Sequence, residues 1–233
     1  MALDEALLDA VDADPSAAIL RTYEWEEPTL SLGYFQGIAD VDLDPRWQGA
    51  PVIRRPSGGG ALWHDREITY ALVVPRRHPL AGRPANLYRA VHAAIAGILR
   101  EHGIPAATRG SSLSDSSRSR PFLCFLDRDP EDILVGMAKV VGSAQRRRPG
   151  AVLQHGSLLL ARSDRTPELP GLKELTGDHD SVRGAGWAEA IRAGLPGALG
   201  MIAHPDTLTI EEGHRASGLE ANVYRNATWL TRR

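Results

Sequence analysis

Ala2, Leu3, Ala6, Leu7, Leu8 and Val11 recur with the three-to-four spacing of one helix face, and the run stops before Asp14-Pro15. The chain is therefore expected to open with a short amphipathic helix. The period then shortens to that of strands. Residues 18–25 and 30–35 form apolar runs separated by Glu26-Glu27-Pro28, and residues 52–55 lead into Pro56-Ser57-Gly58-Gly59-Gly60. Past the glycines, residues 61–64 and 68–74 predict two strands joined by Asp65-Arg66-Glu67. Leu87, Val91, Ala94, Ile95, Ile98 and Leu99 share one face of a helix over 86–102, with Asn86 as its cap and Gly103 as its stop. The segment 111–120, SSLSDSSRSR, is poor in apolar residues and reads as a mobile surface loop. Strands are expected over 132–135, 138–144 and 151–161, the last two joined by the hairpin-like turn Arg146-Arg147-Arg148-Pro149-Gly150. A helix over 186–198, interrupted by Gly194 and Pro196, precedes a closing helix over 209–224 that Thr209 caps with Glu212. Strands in the middle and helices at the ends, without regular alternation, predict an α+β fold whose mixed, mainly antiparallel central sheet is flanked by helices.

Composition narrows the class. With 233 residues and 42% apolar content the chain suits one domain over 1–233. A core of this size buries roughly 70% of the unfolded surface, so neither a disulfide nor a structural metal is needed. A formal charge of −2 argues against a nucleic-acid binder. No run approaches a membrane span and the start is acidic, so a cytoplasmic protein is expected. Cys124 is the one cysteine, which makes any thiol role reactive rather than structural. Of the basic residues 25 are arginine and only Lys139 and Lys173 are lysine, so a lysine here reads as a chosen group with a movable pKa.

Five places can carry chemistry. Ser57-Gly58-Gly59-Gly60 lets the backbone approach a ligand, with Arg54 and Arg55 bringing positive charge to the same end; the plain alternative is a glycine-rich turn. No Gly-Lys-Ser/Thr follows it, so it is not a P-loop. His64, just after, can bond a ligand or stay structural. Lys139 lies in GMAKVVGSAQ, where strand alternation puts Lys139, Val141 and Ser143 on one face and Val140 and Gly142 on the other. Cys124 sits among Phe122, Leu123 and Phe125, which suits a buried thiol, while a nearby cation would make it a nucleophile. His155-Gly156-Ser157, inside the last apolar strand, suits either a close ligand approach or a core histidine.

Taken in order, MALDEALL at the start, RRPSGGGALWHD over 54–65, KVVGSAQ over 139–145 and QHGSLL over 154–159 resemble the motifs of the lipoate-protein ligase and octanoyltransferase family. The resemblance covers most of the chain. It implies the biotin/lipoate protein ligase-like fold, an acyl pocket lined by Gly58, Gly59 and Gly60, and a lysine, Lys139, that meets the acyl carbonyl. Arg54, Arg55, Ser57, His64, Gly142, Ser143, Ala144, His155 and Gly156 fall at positions that line or support this pocket, and Val141 and Leu153 are expected to wall it. Cys124-Phe125, upstream of the lysine motif, resembles the cysteine-dependent octanoyltransferases of the family. The expected activity is octanoyl transfer from an acyl carrier protein to a lysine of a lipoyl domain or of the glycine-cleavage H protein, through a Cys124 thioester. Such an enzyme needs no cofactor and no metal, acts as a monomer, and has no accessory domain after the catalytic one. The loop 111–120 is then a lid, and Arg118, Arg120 and Arg146 to Arg148 steer acidic carriers. Two alternatives stand beside it: a lipoate-protein ligase that uses ATP and magnesium, and a noncatalytic carrier-binding module.

Overall fold

The computed structural model describes residues 1–110, 121–127, 129–177 and 184–232. The expected loop 111–120, with Arg118 and Arg120, lies outside the described residues. In chain order the elements are α1 (Ala2–Ala13), β1 (Ile19–Tyr23), β2 (Thr29–Leu32), α2 (Ala39–Asp42), β3 (Val52–Arg54), β4 (Leu62–His64), β5 (Glu67–Pro75), α3 (Pro84–Glu101), β6 (Ala106–Thr108), β7 (Ile133–Val135), β8 (Ala138–Arg147) and β9 (Ala151–Leu159). Four helices follow: α4 (Leu172–Thr176), α5 (Gly184–Ala198), α6 (Ile210–Leu219) and α7 (Ala227–Thr231).

A six-stranded antiparallel sheet in the order β1-β5-β9-β8-β7-β6 forms the centre, and a three-stranded sheet, β3-β2-β4, joins a parallel and an antiparallel pair beside it. Strand β5 is buried along its whole length. Its alternation therefore feeds two layers rather than one core and one solvent face. Ile68, Tyr70, Leu72 and Val74 pack under α3 and α5 with Val91, Ile95, Trp187 and Ile191. Ala71 and Val73 face the other way, against Leu7, Leu8 and Val11 of α1. Leu30, Leu32, Trp47, Trp63, Leu123 and Phe125 make a third cluster that fastens the small sheet to the segment carrying Cys124.

Several boundaries move for physical reasons. Helix α3 begins at Pro84 with Arg83 as its cap, not Asn86, because proline's fixed φ suits the first helical turn. The strand expected over 30–35 ends at Leu32, since the chain turns there with Gln36 N–H bonded to the Gly33 carbonyl, leaving Phe35 82% exposed. Helix α5 is unbroken. Gly194 serves it by close packing, because a Cβ there would lie 2.9 Å from Ile98 of α3, and Pro196 falls in the last turn, so the single i→i−4 bond it removes lies at the helix end. The capping box at Thr209 and Glu212 is present, and the helix passes into a wider π turn at Glu220–Tyr224.

Candidate active site

The glycine turn, the Cys124 segment and three central strands converge on one cavity of about 70 Å³, enough for several water-sized groups. Arg55, Gly58, Gly59, His64, Cys124, Lys139, Gly142, Ser143, Ala144, His155 and Gly156 all line it, together with Leu62, Thr69 and Ser157. Its floor follows from register. Gly142 pairs with Ser157 and Ser157 with Thr69, so these three side-chain positions point to the same face across β8, β9 and β5.

Lys139 reaches this floor although plain alternation puts it opposite Gly142. The register between β7 and β8 shifts at Ile133/Leu134, a bulge that re-aims the side chain. A Cβ on Gly142 would lie 2.7 Å from Lys139 Cε and 3.1 Å from Nζ, so the ammonium lies directly over the glycine. Val141 points instead into the main core, and Leu153 is covered by α1, so neither walls the cavity. The ammonium donates to the Cys124 carbonyl at 2.9 Å and the Asp127 carbonyl at 3.2 Å, and pairs with Asp132 Oδ2 at 2.8 Å. All three protons are thus engaged. Asp132, immediately before β7, gave no local signal in the sequence. The β7–β8 hairpin brings it to Lys139, which is a tertiary relation. Burial pushes the Asp132 carboxyl up against the opposing pull of Lys139.

Cys124 is half-buried and hydrogen-bonded through its backbone to Ala61, with Cys124 N–H donating at 2.8 Å. Gly60 permits this join, because a Cβ there would meet the Phe122 carbonyl at 2.9 Å and the Cys124 nitrogen at 3.0 Å. The cysteine and the glycine turn are therefore one rigid corner. Desolvation raises the thiol above its ordinary range, with Lys139 and Arg55 pulling it down. In this state Lys139 holds the cysteine's carbonyl and the thiol keeps its proton.

Of the two arginines, Arg55 lines the cavity and Arg54 does not. Arg54 is 1% exposed and turned away from the cavity, donating to the carbonyls of Gly33, Gln36 and Leu230 at 2.9, 2.6 and 2.6 Å. It staples α7 to the loop after β2. Arg55 lines the cavity but donates to the carbonyls of Ser31, Gly58 and Gly60 at 3.0, 2.8 and 2.6 Å, which sets the shape of the glycine turn. Both guanidiniums are committed to main-chain carbonyls. Ser57 lies behind the turn, its hydroxyl 2.5 Å from His155 Nε2. Burial lowers His155 to about 4, so the imidazole is neutral and serves as a polar strut between the turn and β9.

A second network lies under Ser143. Burial lowers His92 to about 4 as well, and its Nδ1 lies 2.5 Å from the Glu131 carbonyl, which can only accept. The proton therefore sits on Nδ1, and Nε2 accepts from the Ser143 hydroxyl at 2.6 Å. Tyr70 and Tyr88 complete the set, at 2.5 Å from Ser143 Oγ and 3.1 Å from its carbonyl. Sequence reading missed all three partners, since only the fold unites them. Among the described residues no group of three or more His, Cys, Asp or Glu side chains gathers to hold a metal ion.

The cavity thus brings the glycine turn, Cys124 and Lys139 together, and the relatives give its class. The sequence profile of the lipoyl protein ligase A/B catalytic domain matches residues 1–166, and the chain belongs to that family. It is 36% identical to octanoyltransferase LipM of Symbiobacterium thermophilum, covering 100% of this chain and 93% of that protein. It is 31% identical to octanoyltransferase LipM of Geobacillus kaustophilus, with the same coverage of 100% and 93%. Among solved structures it is similar to a lipoate-protein ligase A bound with ATP, at 25% identity and a TM-score of 0.77, covering 99% of this chain and 92% of the other. The α+β fold expected from the sequence is the fold of that family. Among the described residues no helix is long and apolar enough to cross a membrane.

Proposed function

We propose that the protein is a cytoplasmic octanoyltransferase that takes an octanoyl group from an acyl carrier protein onto Cys124 and passes it to a lysine of a lipoyl domain or of the glycine-cleavage H protein. The observation that carries this reading is the shared cavity of Cys124 and Lys139 in a chain similar along its whole length to octanoyltransferases. The Cys124 sulfur attacks the donor's thioester carbon, the carrier's thiol departs with the cysteine's proton, and an octanoyl-Cys124 thioester remains. The acceptor lysine, as a free amine, then attacks the same carbon. An amide forms, the amine's proton returns to sulfur, and the thiol is restored.

In this scheme Lys139 exchanges its bond to the Cys124 carbonyl for the acyl oxygen as charge develops there, while Asp132 keeps it charged. The thioester of the donor supplies the driving force, so neither nucleotide nor metal is called for. Intact-mass measurement after mixing with octanoyl-carrier protein tests the route. The expected result is one octanoyl adduct on the wild type, absent from Cys124→Ser. Octanoyl transfer by a wild type that never carries the adduct overturns the covalent route. Modification that requires ATP and free octanoate assigns the chain to the ligases instead.

A further inference from the structure

The way out of the cavity runs along β8. Gly142 and Ala144 line the cavity, and Arg146 follows on the same side of the strand, about 14 Å from Gly142 at the rise of an antiparallel strand. Gly142 is buried whereas Ala144 and Arg146 are half-buried, so this run climbs from the interior to the surface. The other rim is the glycine turn. There a Cβ on Gly58 would lie 4.0 Å from the Phe35 ring, which is 82% exposed, and Tyr34 N–H donates to the Ser57 carbonyl at 2.9 Å. Two guanidiniums lie over the Tyr34 ring. Arg146 Cζ is 5.7 Å and Arg232 Cζ 4.5 Å from its centre, and Arg232 also lies over Trp229 at 4.9 Å.

Among the described residues neither guanidinium is paired with a carboxylate, and Arg146 Nε is buried without a hydrogen-bond partner. The next arginines along the chain are already engaged: Arg147 donates to the Ala81 carbonyl, and Arg148 pairs with Glu5 and Asp9 at 2.9 Å each. The positive charge at this mouth is therefore unmatched, although the chain as a whole carries −2. Two such forks fit the oxygens of a phosphate ester, and an anion would offset the cost of holding Arg146 half-buried. We propose that Arg146 and Arg232, braced on Tyr34, are the seat for the phosphate of the donor: the phosphodiester of the 4′-phosphopantetheine arm on which a carrier protein presents its acyl thioester. The inference rests on the proposed transferase and names how it holds its donor. From thioester sulfur to phosphorus the arm has about thirteen bonds and extends to about 16 Å in a zigzag. With the acyl carbonyl at Lys139, over Gly142, it reaches Arg146 with length to spare. The dimethyl carbon beside the ester then gives the exposed Phe35 ring an apolar contact.

The test compares donors that differ only in the phosphate. Acylation of Cys124 by octanoyl-pantetheine and by octanoyl-4′-phosphopantetheine is followed by intact mass for the wild type, Arg146→Gln, Arg232→Gln and Arg232→Lys, and thermal unfolding shows which variants are folded. Arg232 is exposed, so its replacement spares the core. The wild type is expected to prefer the phosphorylated donor roughly tenfold or more in kcat/KM. That ratio is expected to fall toward one in both glutamine variants and to survive in part in Arg232→Lys, which keeps the charge. Equal use of the two donors by the wild type, or a preference that both folded glutamine variants retain, overturns the seat. Octanoyl-coenzyme A carries the same arm without a protein; if it acylates Cys124 as well as octanoyl-carrier protein does, the seat stands and the carrier is overturned as its source. Calorimetry with 4′-phosphopantetheine and pantetheine separates the two readings. A wild type acylated by no donor, yet binding the phosphorylated arm more tightly in a way lost in Arg232→Gln, keeps the seat and removes the transferase.

Discussion

Replacing Gly142 with alanine separates the position of Lys139 from the stability of the fold. The backbone there lies outside the left-handed region, so alanine adds no conformational strain. Its methyl carbon would stand 2.7 Å from Lys139 Cε, whereas carbon atoms pack at about 3.5–4.0 Å, so the lysine's end must retreat by about 1 Å. The obstruction is the free end of a flexible chain. The fold therefore yields cheaply, but the 2.8 Å pair to Asp132 and the 2.9 Å bond to the Cys124 carbonyl cannot both survive. A displacement of about 1 Å at a reacting group costs on the order of a hundredfold in rate. The expected outcome is a kcat for octanoyl transfer lowered about a hundredfold, with the melting temperature within a few degrees of wild type. Gly82→Ala is the control, since nothing lies within 4 Å of its Cβ. Wild-type kcat in Gly142→Ala would refute the placement of Lys139 over this glycine as the arrangement that works.

Two further outcomes follow from the buried polar groups. His92 and His155 titrate at about 4 in the fold against 6.5 when exposed, so the unfolded chain binds more protons between those values. Their contribution to stability is complete above pH 6.5 and is lost as pH falls toward 4, roughly 3 kcal/mol for each; urea unfolding at pH 7, 6, 5 and 4 measures it, and a flat profile contradicts it. Arg54→Met removes donors from the carbonyls of Gly33, Gln36 and Leu230, and is expected to cost roughly 3–5 kcal/mol of unfolding free energy while leaving KM for the donor within about threefold. A large rise in KM at unchanged stability would return Arg54 to the role of an anion-binding group.

What the sequence makes legible here is local. Helix α1, the strands on either side of the glycine run and the capping box of α6 are each written in a few neighbouring residues, and each is present. The glycine turn, Cys124 and Lys139 were visible as unusual residue choices in this arginine-rich chain. The partners that set their behaviour were not. Asp132 meets Lys139 through a hairpin, His92 meets Ser143 from a helix, and Trp25 meets His64 from the loop after β1. A single register irregularity at Ile133/Leu134 defeated the alternation argument for Lys139. The arginines show the same limit: adjacent positive residues beside glycines suggest an anion, whereas in the fold Arg54 donates to carbonyls of the loop after β2 and of α7, and Arg55 to those of Gly58 and Gly60.

The grip of the Lys139 ammonium on main-chain oxygens has a chemical side effect. Peroxide and stray electrophiles attack the thiolate form of cysteine, and a sulfur that stays protonated in its enclosure is a poor target for them. In the proposed transferase this lets the thiol pass through idle periods undamaged, its reactivity appearing when the acyl group takes over the lysine's resting contact with the Cys124 carbonyl.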